Sequence, residues 1–128
     1  MSDLDTHVAN CLQAKTTFAD QKELQVAGFD FMSLIGILLP VLTQLLGNCF
    51  KTPTAQELSA RLAKGEADPN VRQAAWIAIK KATQDKLHNA TNLRLSQGLC
   101  EACRTATDEQ RMEFVTGVKN VNEDGLLI

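Results

Sequence analysis

Phe31-Met-Ser-Leu-Ile-Gly-Ile-Leu-Leu-Pro40-Val-Leu-Thr-Gln-Leu-Leu-Gly-Asn-Cys-Phe50 is the stretch on which the reading of this chain turns. The 20 positions between Asp30 and Lys51 carry no charge, about the number that spans a bilayer core as a helix. The interruptions matter as much as the apolar residues. Ser33, Gly36, Pro40, Thr43 and Gly47 recur at steps of three, four, three and four, which puts them on one helical stripe. Small residues along a stripe allow a second helix to approach closely. Pro40 clashes with the carbonyl of residue 36 in a regular helix, so the sequence predicts a bend or break between Gly36 and Pro40. Gln44 and Asn48 make the far end more amphipathic than the near end.

Such a rod must be shielded from water, and three arrangements do so. It can be the central helix of a bundle, an interface between subunits, or a membrane-inserting segment. Gln44, Asn48 and Pro40 argue against a permanent span.

Outward from this rod, the remaining chain reads as helices too. Ser2 can cap a first helix to about Phe18, with Leu4, Val8, Cys11, Leu12 and Phe18 on one face. Residues Ala19 to Gly28 read as a connector. Asp30 is a good cap for the apolar helix. Beyond Pro53, Thr54 with Glu57 makes a capping box for a short helix that Gly65 closes. Asp68-Pro69 opens another, to about Leu87, and Asn89 to Asn92 reads as a break. A further helix carries Leu95, Leu99, Ala102 and Ala106. Thr107 with Gln110 opens the last, with Met112, Val115 and Val118 inward.

The expected fold is therefore all-α: an irregular bundle of five or six helices in one domain, 1–128, around the Pro-kinked helix at 30–50. Residues 1–29 form an N-terminal helix and connector, 54–119 a helical region, and 120–128 a tail.

Composition fits this. Of 128 residues only 5% are aromatic, with no Tyr and one Trp, so the core must be aliphatic. The net charge of −2 offers no global attraction to nucleic acid, which is not an expected partner. Charge is nevertheless uneven: residues 51–104 carry nine basic and five acidic side chains. Arg72, Trp76, Lys80 and Lys81 come nearest to a basic-aromatic patch. Asp3 and Asp5 occupy the place of a signal peptide's basic region, and four cysteines without such a signal suggest reduced thiols and a cytoplasmic setting.

Candidate chemistry is thin. His7 with Cys11 is an i, i+4 pair and Cys100-Glu-Ala-Cys103 is a CxxC, so the four together have the composition of a zinc site. The CxxC lies in a helix-like run rather than a tight turn, and plain buried thiols explain it. His88, after Leu87 at an expected helix end, suits a surface cap more than a general base. No P-loop, GxSxG, HExxH or dinucleotide fingerprint is present. No cofactor and no enzymatic activity are expected. The sequence points to an assembly protein whose partners are itself or other subunits, with membrane contact as the alternative and a Cys100/Cys103 zinc or thiol role as a distant third.

Overall fold

The structure, a computed structural model, describes residues 3–49 and 54–116. Seven α-helices follow one another there: α1 (Asp3–Lys15), α2 (Phe18–Val26), α3 (Phe31–Cys49), α4 (Ala55–Leu62), α5 (Pro69–Ala82), α6 (Asn89–Thr105) and α7 (Asp108–Thr116). A 3-10 turn, Gly65–Ala67, joins α4 to α5. The chain is all-α, with no strand among the described residues. Ser2, Phe50, Pro53, Val118 and the 120–128 tail lie outside those residues.

Local hydrogen bonding explains where the helices start. The Asp30 carboxylate accepts from the Ser33 N–H at 2.8 Å, and Thr54 accepts from the Glu57 N–H at 3.1 Å. Asp68 accepts from the Asn70 and Val71 N–H groups, with Pro69 in the first turn where a missing donor costs nothing. Thr107 and Gln110 exchange both bonds of a capping box.

Two boundaries differ from the sequence reading. The first expected helix ends early, at Lys15, and a separate α2 occupies the expected connector. Thr17 and Asp20 form a full capping box there, the Asp standing where Glu is usual. Phe18, expected on the core face, opens α2 instead and is 77% exposed. Among the described residues the count is thus seven rather than five or six. The second difference lies after α5, which stops at Ala82 rather than Leu87. Gln84 and Asp85 both take left-handed backbone, at φ 55° and 57°, with no glycine to announce it. The Asp85 N–H reaches the Lys80 carbonyl at 2.8 Å, and the Lys80 ammonium lies 3.7 Å from the Asp85 carboxylate. Consequently α6 begins at Asn89, inside the expected break, and His88 sits before a helix start rather than at a helix end.

Among the described residues the most extensive helix packing belongs to α6, which lies against α1, α4, α5 and the 3-10 turn, while α3 packs on α5, α1 and α7. Two glycines make the close contacts. A Cβ on Gly98 would stand 3.0 Å from the Cys11 carbonyl oxygen and from Leu12 Cα, so α1 lies directly on α6 there. A Cβ on Gly65, which is left-handed at φ +56°, would meet the Cys100 carbonyl oxygen at 2.9 Å. Ala74, Ala75, Ala78 and Ala82 are buried along α5. The α6 hub also buries Asn92, whose amide oxygen and nitrogen have no partner among the described residues. That burden is of order 1–3 kcal/mol.

A polar clasp docks α2 onto α6. Arg94 donates from Nε and Nη2 to the two Asp20 oxygens at 2.5 and 2.6 Å, and the Thr91 hydroxyl faces both Asp20 and Glu23 at 3.0 Å. The His88 backbone N–H donates to Glu23 at 2.7 Å. Leu24 is the buried apolar residue of α2, so charge-assisted bonds carry much of the docking. The Arg94 guanidinium holds the Asp20 carboxyl well below the usual carboxylate range. At Glu23, burial works to raise the pKa, but the bonds from His88 and Thr91 win and lower it.

Two outcomes follow from this packing. Gly98→Leu destabilises by about 1–3 kcal/mol because backbone blocks its side chain, whereas Gly36→Ala, facing open space, stabilises dilute protein by roughly 0.5–1 kcal/mol; chemical denaturation reads both. Because Asp20 is depressed in the folded state, its contribution is present above the unfolded value near pH 4 and drains away below it. The melting temperature of wild type therefore falls more steeply than that of Asp20→Asn as pH drops from roughly 4 to 2. At neutral pH Asp20→Asn lowers stability, since it leaves Arg94 without its charged partner.

Candidate interaction surface

Helix α3 divides into two faces. Leu34, Ile35, Leu38, Leu42, Leu45 and Leu46 point into the bundle and are buried. On the opposite side Met32, Ser33, Gly36, Ile37, Pro40 and Gln44 are exposed, with Met32 at 39% and Ile37 at 46%. Thr43 is half-buried, and Gly47 lies in the last turns, its surroundings outside the described residues.

Among the described residues no helix packs on the small-residue stripe at Gly36. A Cβ added to Gly36 meets nothing within 4 Å. Close approach happens at Gly98 instead, a residue that stood in the sequence as a lone glycine inside an otherwise regular helix. Two of the stripe residues make local hydrogen bonds. The Ser33 hydroxyl donates to Asp30 at 2.9 Å, and the Thr43 hydroxyl donates to the Pro40 carbonyl at 2.9 Å. The helix runs without interruption from Phe31 to Cys49 with Pro40 inside it. Pro40 lacks the N–H that would bond the Gly36 carbonyl. Both residues are exposed, so water can serve that carbonyl at little cost.

Exposed apolar groups occur on α2 as well, where Phe18 and Val26 are 77% and 89% exposed. Among the described residues no single helix is long and apolar enough to cross a membrane. The pair Phe18–Val26 and Phe31–Leu46 meets that test only together, and it is bent by 83°.

The thiols and histidines assemble differently from a zinc site. His7 and Cys11 do come together on α1, with Nε2 and Sγ 3.8 Å apart, against the end of α6. The bonding around them assigns the proton. The Thr105 hydroxyl donates to the Glu101 carbonyl at 2.7 Å, so it accepts from His7 Nε2 at 2.9 Å. The Ala102 carbonyl, an obligate acceptor 3.2 Å from the same nitrogen, agrees. Nε2 therefore carries the hydrogen and is not a base for the Cys11 thiol. Cys100 and Cys103 are core residues of α6, both 1% exposed. Burial pushes the Cys100 thiol up to about 12 and Cys103 further in the same direction. Among the described residues no three His, Cys, Asp or Glu side chains group as metal ligands, and that includes the weak candidates His7, Cys11, Cys100 and Cys103. A helix interior points successive cysteines into hydrophobic packing rather than round a common ion.

His88 is 87% exposed, and its Nδ1 lies 2.9 Å from the Glu23 carboxylate. It belongs to the clasp. Trp76, the aromatic member of the basic-aromatic group, is half-buried on α5.

Thiol labelling of native protein checks the cysteine geometry: Cys11, half-buried, reacts well before Cys100 and Cys103, which need unfolding. No protein-family model, no curated protein and no solved structure matches this chain, so its function is argued from its own residues.

Proposed function

We propose that this protein acts without catalysis, by association of copies of itself through the outward face of α3. The observation that supports this is an inversion of hydropathy and burial. The most apolar helix of the chain keeps Met32, Gly36, Ile37 and Pro40 at the surface, while the more polar α6 occupies the core. Exposing such a face in a lone monomer is costly, and contiguous apolar surface of this kind marks contact sites.

A second copy is the occupant the chemistry favours. No charge lies between Asp30 and Lys51, so the face has nothing with which to select an oppositely charged partner. Gly36, with open space above it, allows another helix to approach closely. The same face on a second copy has the same requirement, which a two-fold arrangement satisfies in both directions. A bend between Gly36 and Pro40 belongs to this reading, as does a place inside a larger cytoplasmic assembly. Ser33, Gly36, Pro40, Thr43 and Gly47 form the contact stripe, with Met32 and Ile37 as its apolar flanks.

A lipid surface is the second reading, favoured by the bent α2–α3 pair and by exposed Phe18 and Val26. Light scattering on size-separated protein, with and without detergent, and flotation with lipid vesicles discriminate the two. Self-association gives a multiple of the 14.0 kDa chain mass without detergent. Ile37→Glu and Gly36→Leu reduce it to monomer with helicity intact, while Leu34→Ile, on the buried face, leaves it assembled. Wild type that stays monomeric at roughly 100 μM and ignores vesicles sinks both readings. Monomer that floats with vesicles replaces the first by the second.

A further inference from the structure

The outer surface of α5 carries a feature that self-association does not use. Trp76, Ile77, Lys80, Lys81, Gln84 and Asp85 line an open groove of about 470 Å³. Its floor is apolar, made by half-buried Trp76 and Ile77. Its rim is basic on one side. Lys80 is held in place, with its ammonium 5.6 Å from the Trp76 ring centroid and 3.7 Å from Asp85. Lys81 is exposed and has no ion pair among the described residues. The left-handed Gln84 and Asp85 wall off the end of the groove, an arrangement that costs conformational energy in residues other than glycine.

We infer that this groove binds an acidic peptide segment, one carboxylate of which pairs with Lys81 while a neighbouring aliphatic side chain packs on Ile77 beside Trp76. Charge complementarity carries the choice of occupant. A continuous phosphate backbone suits the site poorly, because Asp85 stands on the rim and the whole chain is negative. Base stacking is also obstructed, since the Lys80 ammonium lies over the indole. A single carboxylate needs only one cation, Lys81, and its aliphatic neighbour needs no free indole face, because Ile77 offers apolar surface beside the Lys80–Trp76 contact. It matches one unpaired ammonium and one apolar floor.

A sequence of the required pattern occurs in this chain at Glu123-Asp124-Gly125-Leu126-Leu127-Ile128, which supplies a probe. Trp76 is the single tryptophan, so its emission reports on the groove directly. Full-length protein is titrated with a capped synthetic peptide carrying the sequence of residues 122–128. The expected result is a saturable change in Trp76 emission. Exposed Lys81→Glu weakens it about fivefold or more without altering helicity, as does replacing the two peptide acids by amides. Ile37→Glu, on the α3 face, leaves the titration unchanged, which separates this site from self-association. Absence of saturation up to roughly 1 mM overturns the inference. Equal binding by Lys81→Glu or by the neutral peptide overturns it as well. So does loss of the response in Ile37→Glu, or tighter Lys81-dependent binding of a single-stranded oligonucleotide of similar length.

Discussion

Everything in this fold depends on how closely α1 can lie on α6. At Gly98 the α1 backbone occupies the place a side chain would take, with the Cys11 carbonyl and Leu12 Cα at contact distance. That approach buries Leu4, Val8 and Leu12 against α6 and sets His7 over the Ala102 carbonyl. Gly65 does the same from the other side, bringing the 3-10 turn onto the Cys100 carbonyl. A glycine in a helix interior costs about 1 kcal/mol of propensity. Here the gain is direct backbone-to-helix packing, which no larger residue permits.

Among the described residues α3 packs on α5, α1 and α7 with one face and turns the other outward. One face of leucines satisfies the core, and the other, with Met32, Gly36, Ile37 and Pro40, faces outward. The proline fits this placement. Its missing hydrogen bond falls on the side where water reaches the Gly36 carbonyl, so the defect is cheap there and would be expensive on the inner face. The opposite solution appears at α2. That short helix buries only Leu24 among its apolar residues and is instead held by Asp20 and Glu23, bonded to Arg94, Thr91 and His88. Polar bonds thus do in one place what leucines do in another, and Phe18 and Val26 stay exposed as a result.

Much of the helical plan was legible in the residues themselves. Local hydrogen bonding decides a helix start, and Asp30, Thr54, Asp68-Pro69 and Thr107 with Gln110 all cap where their side chains imply. The boundaries that escaped were those without an ordinary signal. Thr17 and Asp20 make a capping box with Asp in place of Glu. Gln84 and Asp85 turn the chain with left-handed backbone that neither residue announces. Of the candidate site, the uncharged character of 31–50 and the alignment of Ser33, Gly36, Pro40 and Thr43 on one side could be read directly from helical periodicity.

The order of residues alone determined that the chain is all-α, where most helices begin, and that one of them is uncharged throughout. Which side of that helix faces inward, and which glycine admits a neighbour, only the tertiary structure decided. Periodicity defines faces but not their partners: the direction a face points is set by contacts distant in sequence, such as Gly98 against Leu12 and Asp20 against Arg94.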